Sequence, residues 1–383
     1  MESMLKKQER AAQSGWWYRW WPILIVLIGG LAVLGVAHDD QLYQTPILKI
    51  QSTQVVSQEK QSDQFQNEDQ QITQKLHGTI TNGQYQGRRL TVPNTYMRSQ
   101  STTQGFHTGQ KIFLTLHHQK GKLSATVSDY KRDVALAFTA WLAVSLLLVL
   151  MRFSGLMALV SVIVNGVLFW LAVSWNTTTQ GGIVLVIFGG LAVAFAALTL
   201  LIVIGFNQQM LMTLLATVGG TAISILIALA VFSVTHEKGV YYESMQYVTQ
   251  LPRPLFLAET ILGSLGAVMD ESTDIIASLM ALKTEKPDIS AKQLFASGRQ
   301  IGGEIMGPLV NVLFFIFVAD TLPLAVLYLK NANSWGYTFN MTMNLGVIQS
   351  LISGIGIVLT IPLACGITSL MMGGKFSWGR LRR

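Results

Sequence analysis

Charge is scarce in this chain. Only 12% of its 383 residues are Asp, Glu, Lys or Arg, where a soluble domain has about a quarter. Half of the residues are hydrophobic, and several apolar runs exceed the ~18 residues a spanning helix needs. These values exclude an ordinary soluble globule and point to a polytopic α-helical membrane protein. Cysteine is scarcer still. The single Cys365 excludes an intramolecular disulfide and a cysteine metal cluster. The six histidines are scattered, and the adjacent His117 and His118 suit an exposed strand better than a metal site. No cofactor and no metal are expected. Enzyme signatures are missing as well. There is no HExxH motif, no Gly-x-Ser-x-Gly elbow and no Walker loop. Leu265-Gly266-Ala267-Val268-Met269 precedes Asp270 in place of the Gly-x-Gly-Asp of intramembrane aspartyl proteases. The chain reads as a non-enzyme. Its formal net charge of +7 is partly topological, and no nucleic-acid partner is expected.

What is present divides into three parts. Residues 1–37 form a cytoplasmic N-terminus and a first transmembrane helix. Lys6, Lys7, Arg10 and Arg19 precede the apolar run Pro22–Ala37, and Trp16, Trp17, Trp20 and Trp21 sit at its edge, so the N-terminus lies inside. Two readings of this run stand. The tryptophans favour a retained anchor, whereas Gly35-Val36-Ala37 resembles the cleavage site of a signal peptide.

Residues 38–133 form an extracytoplasmic, mostly β domain between helices 1 and 2. Gln51–Lys75 is polar and low in complexity, which predicts a poorly ordered linker or an exposed helix. From His77 the period becomes two: HGTITNG, GRRLTVPN, KIFLTLHH and LSATVSDY alternate apolar and polar residues. The last two are joined by Gln119–Lys122 with Gly121 in the turn. A small barrel or sandwich of four or five strands fits. Its basic residues read as solvated surface, with ligand or partner docking as the alternative.

Residues 134–383 form a multi-helix membrane domain. The runs Val134–Met151, Leu156–Trp175, Ile183–Phe206, Met210–Val234, Leu255–Leu282, Gly303–Leu329 and Met343–Met372 bring the count to about eight spans. Asn176–Gln180 is a polar turn. Pro252 and Pro254 mark the entry to one helix. Ser290 and Gln293 predict a capping box for a short amphipathic helix within the link Lys283–Arg299. Gly354, Gly356 and Pro362 can bend the last helix. Lysines and arginines close to helix ends, including the tail Lys375, Arg380, Arg382 and Arg383, gather on one side, which places both termini in the cytoplasm.

The chemistry concentrates in LAETILGSLGAVMDESTDIIASLMALK (Leu257–Lys283) and SGRQIGGEIMGPLVN (Ser297–Asn311). On a helix, Glu259, Gly263, Gly266, Asp270 and Asp274 share one stripe. Gly298 and Gly302, then Gly303 and Gly307, repeat at four-residue spacing, and small residues let helices approach closely. Asp270 lies roughly 18 Å from the helix end near Leu282, close to mid-bilayer, where carboxylates are costly and mark function. Asp270, Asp274, Glu304 and Asn311 are the candidates for proton or ion coupling. A second reading makes Asp270–Asp274 a solvated helix end at the cytoplasmic boundary. Asp320 and Glu271 are secondary candidates, Glu259 reads as interfacial, and Asn165 as a helix–helix hydrogen bond.

GSLGAVMDESTDIIASL and LFASGRQIGGEIMGPLVNVLFFIFVADTLPL closely resemble the signature of the YibE/F family of bacterial multi-pass membrane proteins. The resemblance runs from about Tyr130 to Met372 and includes the DYKRD entry to the second helix. Gly266, Asp270, Ser297, Gly298, Gly302 and Asn311 match the family pattern. Glu304 stands where an aspartate is usual, Pro308 where a hydroxyl residue is usual, and Glu271 and Asp274 where small or apolar residues are common. The resemblance implies a bacterial cytoplasmic membrane protein of the larger of two forms, with a sister YibE/F protein or a second copy as partner besides the lipid bilayer. It implies no settled activity. The expected function is an ion-coupled permease or permease subunit; the alternative is a non-transporting assembly partner whose extracytoplasmic domain docks a sister protein.

Overall fold

A computed structural model describes residues 2–119, 122–179, 183–245 and 251–373, without the side chains of 2–19, 118, 119 and 122. The basic tail from Lys375 and the turn glycine Gly121 lie outside the described residues, as does Gln180. The chain divides into two compact units, Met1–Leu156 and Met157–Arg383.

The first unit begins with α1 (Glu2–Ala37) and continues into β1 (Ile47–Ser62), β2 (Glu68–Ile80), β3 (Arg89–Met97), β4 (Lys111–Gln119) and β5 (Lys122–Tyr130). These form one antiparallel sheet in the order β3-β2-β1-β4-β5. The outer strands β3 and β5 also approach each other, so the sheet curls around one apolar core. Leu48, Ile50, Leu76, Val92, Ile112 and Leu114 fill that core. Pro93 sits in β3, an edge strand, where its missing N–H leaves no ladder bond unmade.

The expected linker or exposed helix at Gln51–Lys75 is instead the long outer part of the β1–β2 hairpin, paired out to Ser62 and Glu68. Residues 51–62 are almost all exposed, Val55 and Val56 included, so neither face of the ribbon is buried. Period-two alternation, which needs one buried face, is therefore invisible there. The turn closes through Asp63, whose carboxylate accepts from the backbone N–H of Phe65 and Asn67. These bonds hold the carboxyl below the usual range, with the Asn67 side chain as the largest cause.

At the base of the sheet, Asn82 accepts from Ile47 N–H at 2.7 Å and donates to the carbonyls of Tyr43 and Thr45. Beside it lies a knot of ion pairs. Lys131 Nζ reaches Asp39 at 2.7 Å and Asp133 at 2.5 Å, with its side chain 1% exposed. Lys111 pairs with Asp40 at 2.8 Å and donates to the carbonyl of Ala37, the last residue of α1. Tyr43 donates to Asp133, the first residue of α2 (Asp133–Thr178). Further along, Trp141 of α2 donates its indole N–H to Val26 O of α1 at 2.8 Å. The sheet is thus tied to the ends of both helices by charge.

Within α2 the backbone leaves the helical region at Arg152 (φ 49, ψ −122). The residues before and after it, 133–151 and 153–178, are each of spanning length.

The second unit contains the rest of α2, then α3 (Val184–Val203), α4 (Gln208–Thr235), α5 (Pro252–Glu285), α6 (Ala291–Lys330), α7 (Trp335–Thr338) and α8 (Asn344–Gly373). A π-helical turn at Phe339–Met343 joins the last two. Asn207 caps α4 by accepting from Met210 N–H. The capping box of Ser290 and Gln293 is present, yet the helix it opens is not short: α6 runs 40 residues through Pro308 and Pro323. Asn165 donates to Thr199 Oγ1 at 2.8 Å, joining α2 to α3.

Among the described residues six helices are long and apolar enough to cross a membrane, against about eight expected from apolar runs. Two causes account for the difference. The two helical runs on either side of the break at Arg152 are counted together as α2, and the acidic residues of α5 lower its hydropathy.

Candidate functional site

Helix α5 packs against α4 and α8 through a surface set by its small and apolar residues. Ser264, Val268, Glu271 and Ile275 recur at helical spacing and are all buried. Val268 reaches the positions where Cβ atoms would stand on Gly220 of α4 and Gly356 of α8, at 3.2 and 3.0 Å. Three helices therefore meet at one level.

Glu271 lies one turn beyond Val268. It is 0% exposed, and neither carboxylate oxygen has a hydrogen-bond partner among the described residues. Its surroundings combine an apolar wall with hydroxyls. The buried apolar cluster that holds Met212, Ala216, Ile361 and Cys365 includes Ile275, one turn further along α5. On α4, Thr213, Thr217, Thr221 and Ser224 lie along one buried face. Thr217 Oγ1 and Ser272 Oγ share a hydrogen bond of 2.7 Å, next in sequence to Glu271. The hydroxyls of Thr213 and Thr221, and of Thr368 on α8, are buried without partners among the described residues. A buried carboxylate on a face with spare hydroxyls can take up a proton or a small cation, for which oxygen atoms are suitable ligands.

The expected candidates are distributed differently. Asp270 and Asp274 are exposed on α5, and Glu304 and Asn311 are exposed on α6. No hydrogen bond or ion pair links any two of these four among the described residues. Asp320 is exposed on α6 and lines a cleft with Glu259 of α5, beside Gln349 of α8.

The glycines separate into two groups. Gly298 and Gly302 are buried: an added Cβ would stand 2.5 Å from Cys365 Sγ at the first and 2.7 Å from Ile361 Cγ2 at the second. Gly263 faces the amide of Gln349 at 2.6 Å. Gly266, Gly303 and Gly307 have open space where a side chain would be.

Family models cover both units. The model for the YibE/F-like protein matches residues 139–374, and that for the YibE/F family N-terminal domain matches residues 41–130. The chain belongs to the YibE/F family. Membership and the apolar helices together make it an integral, multi-pass membrane protein. No curated protein and no solved structure matches the chain. Glu271, at the centre of the YibE/F-like region, carried a weaker sequence signal than Asp270 because it departs from the family pattern. Its register with Ser264, Val268 and Ile275 is the signal that places it on the packed face.

Proposed function

We propose that this YibE/F protein is an ion-coupled permease, or a subunit of one, in the bacterial cytoplasmic membrane, with Glu271 as the coupling carboxylate. The observation that carries the reading is the wholly buried Glu271, both of whose oxygens go without a partner among the described residues. At membrane depth an unpaired charge costs at least about 2.5–3.5 kcal/mol. The group is neutralised by a proton or a bound cation, and exchanging one for the other is what coupling requires. Asp270 and Asp274 on the exposed side of α5 supply a polar route for that ion toward the cytoplasmic end. With both termini inside, α2 counted as two spans and α5 as one, the cleft at Glu259 and Asp320 opens to the outside.

Proteoliposomes on a solid-supported membrane test this by the charge displaced on sodium or pH jumps. Wild type gives currents that Glu271→Gln abolishes while the helices stay folded by circular dichroism. Currents of full size in that variant overturn the assignment.

A second reading draws on a different observation. Asp270, Asp274, Glu304 and Asn311 are exposed on long helices, and polar groups facing lipid are costly. A non-transporting member whose stripe is covered by a sister YibE/F protein or a second copy accounts for them. Co-purification with the sister protein that depends on these four residues, together with absent currents, favours it.

A further inference from the structure

The cleft between α5, α6 and α8 has a volume of about 640 Å³, within the range of roughly 300–1,000 Å³ typical of small-molecule pockets. Its walls carry Glu259, Asp320, Gln349, Ser350 and Ser353, and no cationic side chain is among the residues lining it. Ser353 is only 3% exposed. Its hydroxyl makes no hydrogen bond to any described residue, and the same holds for the side chains of the other four. Polar groups of buried residues in folded proteins are normally paired, so the unpaired hydroxyl of the 97% buried Ser353, lining the cleft with two carboxylates, marks a place where a ligand completes the bonding.

The chemistry of that ligand follows from the donors. Two carboxylates accept only, so the ligand must bring positive charge and N–H or O–H groups. The remaining wall is largely apolar and aromatic, with Phe256, Phe317 and Leu345 beside Ser244, Thr321 and Thr342, whose hydroxyls donate to backbone carbonyls, which suits a hydrocarbon body and the face-on approach of a cation. A bare metal ion fits poorly. The cleft is far larger than an ion, and no three His, Cys, Asp or Glu side chains converge to hold one among the described residues. Gly263 supplies the room. Gln349 Nε2 lies 2.6 Å from the place a Cβ would occupy there, so the amide reaches across α5 only because that position has no side chain.

We infer that this cleft is a binding site for a small organic cation, an alkylammonium or guanidinium compound, held between Glu259 and Asp320 with Gln349 and Ser353 completing its hydrogen bonds. Calling that ligand the transported solute rests on the permease reading; the binding itself does not.

The full-length protein in detergent is titrated calorimetrically with n-butylammonium and methylguanidinium, with n-butanol, butyrate and magnesium chloride as controls. Wild type binds at least one of the two organic cations saturably and neither neutral nor anionic control. Glu259→Gln with Asp320→Asn weakens that binding about tenfold or more, whereas Asn165→Leu, between α2 and α3 and away from the cleft, binds as wild type does. Should the double variant not fold, Ser350→Phe, which fills the cleft, gives the same loss. Absence of saturable binding, saturable binding of magnesium alone, or unchanged affinity in the folded cleft variants overturns the inference. Currents that survive Glu271→Gln sink the coupling assignment and leave this result standing, so the two failures are distinguishable.

Discussion

Lys131 and Glu271 are both buried, and they are treated oppositely. Lys131 is surrounded by Asp39, Asp40 and Asp133 and lies 4.9 Å from the centre of the Tyr43 ring. Burial works against its charge, yet the hydrogen bonds and attraction of Asp133 and Asp39 outweigh it and hold the ammonium above lysine's ordinary range. Glu271 has hydroxyls and apolar carbon around it and no partner for either oxygen among the described residues. A charge with every bond made fastens a structure. One with none made is stable only when something arrives to neutralise it, and that is the mark of a working site.

The comparison is broken most directly at Lys131. Replacing it with Met leaves Asp39 and Asp133 facing each other without their cation, and thermal unfolding in detergent should show a loss of about 3 kcal/mol, the low end for breaking a buried pair. The pH dependence has a fixed sign. A lysine with a raised folded pKa contributes its full stabilisation below its unfolded value, and that contribution is lost as pH climbs through the raised one. Stability of the β domain should therefore be flat across neutral pH with respect to this group and fall only in strongly alkaline solution. A decline beginning near neutrality would show that the knot is not what holds the sheet.

At Glu271 the same kind of substitution should act in the other direction. Glu271→Met removes an unpaired buried carboxylate and fills the space with carbon, so the protein should gain about 2 kcal/mol, measured by the same unfolding assay, while ion-dependent currents disappear. A loss of stability of that size would mean the carboxylate has bonding partners in the membrane and is structural, like Lys131.

Much of this was legible in the sequence. The apolar runs announced the helices, Ser290 and Gln293 the start of α6, and period two the strands β3, β4 and β5. Two things were not. Residues 51–62 of β1 have no buried face, so nothing in their pattern separates a solvated strand from a linker. In α5 the eye is drawn to the acidic stripe Glu259–Asp270–Asp274, which is the exposed face; Glu271 belongs to the stripe of Ser264, Val268 and Ile275. Telling the two apart requires knowing which side meets α4 and α8, and that contact is made by residues about 50 positions before and 85 after, at Thr217, Gly220 and Gly356, spacings no local period carries.

A smaller effect separates an uncharged intramembrane hydrogen bond from both charges. Asn165 donates to Thr199 across α2 and α3, and Ser161 donates to the same oxygen at 3.1 Å. Asn165→Leu should cost about 0.6 kcal/mol, the average for such bonds in a membrane, with currents unchanged. Lost currents would extend the working site to α2 and α3.

The smallest change has the most to say about what covers α5. Gly266 lies on the exposed stripe between Gly263 and Asp270, and nothing stands within 4 Å of the place its Cβ would occupy. Gly266→Ala should stabilise the isolated protein by up to about 1 kcal/mol, because alanine favours the helix where glycine does not. If a second copy or a sister protein packs on the stripe through this glycine, the added methyl meets a backbone and the assembly weakens even as the monomer strengthens. Size-exclusion chromatography with light scattering, run beside the unfolding assay, reads both quantities. A stabilised chain whose assembly state does not change leaves the stripe facing water, as the route to Glu271 needs; a stabilised chain that falls apart from its partner makes the stripe an interface.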